Sequence, residues 1–87
     1  MTDALRVLLV DDEELARMRL RTLVGECPSP QAEVVGEASN AVQALAWLEM
    51  HECDLLLLDI GMPGKDGIAF ATELNQRERP PTVVFVT

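Results

Sequence analysis

The sequence predicts an α/β domain built on a doubly wound parallel sheet, and three observations carry that prediction. Val7 to Val10 and Leu55 to Leu58 are dense apolar runs of strand length. Such runs mark strands covered on both faces, as parallel sheets are. Segments of helical period separate these runs from each other and from a later β-branched stretch, Thr82 to Val86. Alternating strands and helices imply parallel pairing through right-handed crossovers. Finally, both apolar runs end in carboxylates, Asp11-Asp12-Glu13 and Asp59. Open α/β sheets bind their ligands beyond the carboxyl ends of their strands.

Taken in order, the first strand is predicted over Arg6 to Val10. A helix then starts near Glu14, with Ala16, Leu20, Leu23 and Val24 forming one apolar stripe toward the core. Arg17, Arg19 and Arg21 fall largely off that stripe and read as a solvated face, with a partner surface as the alternative. Gly25 and the Pro28-Ser29-Pro30 loop stop the helix. The second strand is predicted at about Glu33 to Glu37. Asn40 fits an N-cap with Gln43 as its capping-box partner. The helix that follows turns Ala41, Ala44, Leu45 and Leu48 inward, with Trp47 beside them. Asp54 to Leu58 is the third strand. The third helix starts at Asp66-Gly67 and buries Phe70, Ala71 and Leu74. Pro80-Pro81 breaks it, and Thr82 to Val86 is the fourth strand.

At 87 residues, 48% of them apolar, the chain holds at most one small folded domain. A net charge of −8 argues against direct nucleic-acid contact by this segment, which would need clustered Lys and Arg. No apolar stretch approaches membrane-spanning length, and the N-terminus does not have the pattern of a signal peptide. Cys27 and Cys53 show neither metal-ligand spacing nor a disulfide framework, so the expected compartment is the cytoplasm.

The flavodoxin-like strand order, 2-1-3-4 for the strands present, makes strands one and three neighbours and brings Asp11, Asp12 and Asp59 into one crevice. Carboxylates so placed repel, and either protonation or a cation relieves them. Hard oxygen donors suit Mg²⁺, which takes few protein carboxylates and keeps water. A carboxylate beside such a cation can act as a nucleophile toward a phosphoryl group. The Gly61-Met62-Pro63-Gly64 turn leaves backbone carbonyls beside the crevice.

The segments Val10-Asp11-Asp12-Glu13, Leu58-Asp59-Ile60-Gly61-Met62-Pro63-Gly64-Lys65-Asp66-Gly67 and Val84-Phe85-Val86-Thr87 resemble the receiver domain of two-component response regulators. The likeness covers essentially the whole chain. It implies that Asp59 accepts a phosphoryl group from a sensor histidine kinase. Asp12 would ligate Mg²⁺ directly and Asp11 largely through water, with Asp59 and the Gly61 carbonyl completing the set. Thr87 would contact the phosphoryl group and switch on its arrival. The stretch Asp12 to Arg21 looks further like LytTR-class regulators, although Glu14 stands where those proteins usually carry proline. That class implies a DNA-binding output domain C-terminal to the receiver. Receivers also carry a lysine at the end of a fifth strand, and Lys65 lies in the wrong segment to replace it. The chain is therefore expected to be a partial receiver over residues 1–87, lacking the fourth helix, fifth strand and fifth helix. Poor phosphate acceptance by this piece alone and self-association through an exposed fourth strand are expected with it.

Other readings fit less of the sequence. Asp59 alone could be a solvated strand end, but the Asp pair and the following turn favour a site. A haloacid-dehalogenase-type phosphatase wants a second Asp two residues after the nucleophile, and position 61 is glycine. No Walker A loop or dinucleotide fingerprint is present. A phosphate-independent pseudo-receiver remains the alternative function, and no enzymatic turnover is expected. Asp3, Asp54, Glu73 and Glu78 read as surface acids, Asp66 as a turn residue or cap, and His51 as solvated.

Overall fold

A computed structural model describes residues 4–28, 31–59 and 67–86. Four strands alternate with three helices: β1 (Leu5–Val10), α1 (Glu14–Gly25), β2 (Ala32–Ala38), α2 (Ala41–Met50), β3 (Leu55–Asp59), α3 (Gly67–Asn75) and β4 (Thr82–Val86). All pairings are parallel, and the sheet order is β2-β1-β3-β4. The α/β class and the 2-1-3-4 order expected from sequence are both present. β3 runs one residue further than expected, so Asp59 is the last residue of the strand itself.

The core lies mainly on one face of the sheet. Leu8, Val10, Leu56, Leu58 and Ala38 meet Ala41, Ala44 and Leu48 of α2 and Phe70 and Leu74 of α3. On the opposite face, Val7 and Leu9 are fully buried. The helix on that side, α1, has no fully buried residue. Ala16, Leu20 and Val24 are half-buried, whereas Leu23 is exposed, contrary to the four-residue stripe expected. A stripe is only as buried as the surface opposite it, and α1 packs mainly on β2 and β1 among the described elements.

The β1–β2 register slips by one residue after Val7, where Val34 pairs with Val7 but Gly36 pairs with Leu8. The slip leaves Val35 as an extra residue, a bulge that increases local twist. It also sets Gly36 beneath the Trp47 indole, where an added Cβ would lie 2.5 Å from Nε1. At the start of α2, the Asn40 side chain accepts from the Gln43 amide at 2.8 Å, as the capping motif predicts. The Gln43 side chain returns to Ser39 rather than Asn40, accepting from the Ser39 amide and hydroxyl.

Candidate functional site: the acidic crevice

Register alone brings the acids together. Val10 pairs with Leu58 across β1 and β3, so the next residues, Asp11 and Asp59, leave the sheet side by side. Asp12 follows in the β1–α1 connection. One carboxylate oxygen from each of Asp11, Asp12 and Asp59 lies within 4.8 Å of the others. Asp11 is buried, Asp59 half-buried and Asp12 exposed. Burial pushes the Asp11 carboxyl above its ordinary range, and repulsion from Asp59 and Asp12 adds to it. A hydrogen bond from the Glu13 amide to Asp11 Oδ1, 3.0 Å long, pulls the other way.

Hard oxygen donors graded from buried to exposed, already repelling one another, suit an oxygen-seeking divalent cation that keeps water on its open side. The acids predicted from sequence therefore converge as expected. Gly61, its Met-Pro-Gly turn, Lys65, Asp66 and Thr87 lie outside the described residues.

One side chain whose role the sequence reading missed, Arg17, reaches the backbone of the acids. Arg17 Nη1 donates to the Asp11 backbone carbonyl at 2.6 Å, and Arg17 Nε donates to Glu37 Oε1 at 3.1 Å. Arg21 pairs with the other oxygen of Glu37. The solvated face expected of these arginines is thus corrected for Arg17, which ties α1 to the end of β2, whereas Arg21 stays exposed while pairing with Glu37. Nothing in the letters separates a strapped arginine from a solvated one. The usable signal is spacing: Arg17 lies within the first turn and a half of α1, within reach of the strand end before it.

The opposite end of the sheet differs in character. Asp54, just before β3, accepts from the Arg6 backbone amide at 2.8 Å and from its guanidinium. The pair holds the Asp54 carboxyl below the usual range. An open groove of about 850 Å³ lies here, lined by residues including Arg6, His51, Cys53, Arg77 and Pro81. It shares no residue with the acidic crevice. His51 is exposed, as expected, and stacks on Trp47 with ring centroids 4.7 Å apart. Burial pushes the Cys53 thiol up to about 11, which marks an unreactive packing residue. No described helix is long and apolar enough to cross a membrane.

The chain is similar over most of its length to known proteins. The family model for the response regulator receiver domain matches residues 7–87. The positive alginate biosynthesis regulatory protein of Pseudomonas aeruginosa is 46% identical over 83 residues, which is 95% of this chain and 33% of that protein. The transcriptional regulatory protein BtsR of Escherichia coli K12 is 41% identical over 83 residues, again 95% of this chain and 34% of that protein. The chain thus spans about a third of the length of these curated relatives. Among solved structures, the response regulatory domain of Klebsiella pneumoniae mrkE superposes with a TM-score of 0.79 at 32% identity, covering 92% of this chain and 64% of that one. The response regulator domain of Thermotoga maritima CheB gives 0.82 at 29% identity, covering 95% and 60%.

Proposed function

Since this chain belongs to the response regulator receiver family, we propose that it is a phosphoacceptor module whose acceptor is Asp59. The observation that carries the proposal is the convergence of Asp11, Asp12 and Asp59 at the carboxyl ends of two adjacent parallel strands. In this reading a carboxylate oxygen of Asp59 attacks the phosphorus of a phosphohistidine on a sensor kinase. The new O–P bond makes an acyl phosphate as the P–N bond breaks, and the imidazole leaves with the electron pair. Asp11, Asp12 and Asp59, with the Gly61 carbonyl, would hold Mg²⁺, which when bound neutralises charge on the phosphoryl oxygens. Asp11 keeps one carboxylate oxygen engaged with the Glu13 amide, which fixes its direction in the crevice. Thr87 is assigned the phosphoryl contact that reports arrival.

The module is not an enzyme with a substrate of its own; its product is its own modified state. The transcriptional regulatory name of the BtsR relative, together with the LytTR-like Asp12 to Arg21 stretch, supports a DNA-binding output domain and a cytoplasmic setting.

Intact mass after incubation with Mg²⁺ and a small phosphodonor tests the assignment. A single phosphoryl adduct is expected, slow to form in this piece and faster in a version extended past Thr87, dependent on Mg²⁺ in both and lost in Asp59→Asn. An adduct that persists in Asp59→Asn, or none even in the extended version, overturns it.

A further inference from the structure

We infer that Arg17 is a positioning residue for the acidic crevice, fixing the peptide plane from which Asp12 departs; the inference rests on the phosphoacceptor reading above. Asp11 is tied on three sides. Its amide donates to the Ala38 carbonyl at 3.1 Å, its carbonyl accepts from Arg17 at 2.6 Å, and its Oδ1 accepts from the Glu13 amide at 3.0 Å. The carbonyl of Asp11 and the amide of Asp12 belong to one rigid peptide plane. Holding that carbonyl therefore fixes the plane and the Cα from which Asp12 departs, leaving its φ and side-chain rotamer to complete the direction. Asp12 needs such help, because it is exposed and lies in a connection rather than in a strand.

Arg17 can hold the carbonyl because its own guanidinium is held. Glu37 at the end of β2 accepts from Arg17 Nε with one oxygen and pairs with Arg21 through the other. Arg17 and Glu37 are largely shielded, with side-chain exposures of 17% and 26%. A short, charge-assisted bond in a shielded place is stronger than a neutral one. The strap closes a triangle between the end of β1, the start of α1 and the end of β2. It puts a cation to work beside a cation site without spending a carboxylate of that site.

This arrangement separates position from charge. If Arg17 acted only through its charge, removing it would strengthen divalent-cation binding, since one repelling charge would be gone. If it acts by position, removal weakens binding. Loss of an outer partner of a metal ligand typically costs about 10–100-fold in affinity.

The test is Mg²⁺ titration calorimetry at fixed ionic strength on the full chain, with amide NMR shifts recorded free of divalent cations. Arg17→Ala is expected to raise the Mg²⁺ Kd about tenfold and to move the Asp12 and Glu13 amides without Mg²⁺. Arg17→Lys, able to reach the carbonyl but not Glu37 at the same time, should recover most of that loss. Glu37→Gln should give a smaller loss, and Arg19→Ala, on the exposed side of the helix, none. Tighter or unchanged Mg²⁺ binding in Arg17→Ala, with those amides in place, overturns the inference. Should Arg17→Ala fail to fold, Arg17→Lys and Glu37→Gln decide by the same two readouts. If wild type binds no Mg²⁺ but the amides still move in Arg17→Ala, the phosphoacceptor reading falls and the positioning role stands.

Discussion

At the scale of single residues, Asp11 and Asp54 flank opposite ends of the β1–β3 pair with opposite electrostatic fates. Asp11 is buried beside two other acids, which raises its pKa, so its charged form works against folding at neutral pH. Asn in its place keeps an oxygen for the Glu13 amide and sheds the charge. Asp11→Asn is therefore expected to raise Tm in chelator and, under the proposed Mg²⁺ site, to lose the stabilisation by Mg²⁺ expected of wild type, as melts with and without Mg²⁺ would show. Asp54 is the reverse case, its pKa lowered by hydrogen bonds from Arg6. Its contribution to stability is complete above the unfolded value of about 3.9 and is lost as pH falls through the lower folded value. Melts of wild type and Asp54→Asn in an acid series should show a wild-type advantage that closes as pH drops below about 3.9. Asp54 was read from sequence as an ordinary surface acid, and it is partly exposed. Its partner escaped notice because Arg6 lies 48 residues away, and only the parallel register joins them.

At the scale of elements, the contact of α2 with β2 turns on the bulge at Val35. The slipped register puts Gly36, rather than a β-branched residue, under Trp47. Gly36→Ala would drive a methyl into the indole, with an expected cost of about 1–3 kcal/mol and a shift in Trp47 emission. Denaturant unfolding should show that cost largely relieved when Trp47→Leu is added. Element order, types and limits were legible in the sequence to within a residue or two, because buried parallel strands are continuous apolar runs and Asn40 announces its helix. The bulge went unread, although Gly36 inside Glu33 to Glu37 is a usable mark of one; where the slip falls is decided by what packs on the strand. Leu23 was misplaced for a related reason: helical period names a face but not the width of the surface that covers it.

Over the whole molecule, apolar cover is uneven. Leu15, Met18 and Leu23 on α1 and Val84 and Phe85 on β4 are exposed, and β4 is an edge of the described sheet. An apolar edge strand invites pairing with another copy, so sedimentation at rising concentration is expected to show reversible association that Phe85→Lys weakens. Of the candidate site, the three acids were legible because strand ends and strand order suffice to bring them together. The Arg17–Glu37 strap was not, since it joins a helix face to a strand end through side-chain reach alone. The pairing of β1 with β3 has one further consequence. Its entry end is clamped by Arg6 and Asp54, while its exit end carries acids that repel. Repulsion loosens the exit end relative to the clamped one, so amide protons at the β1 exit, near Val10, are expected to exchange with solvent sooner than those near Arg6, as hydrogen-exchange NMR would show. If the proposed Mg²⁺ bridges the acids, it would close that end, so the ligand would complete the order of the end assigned to phosphoryl transfer.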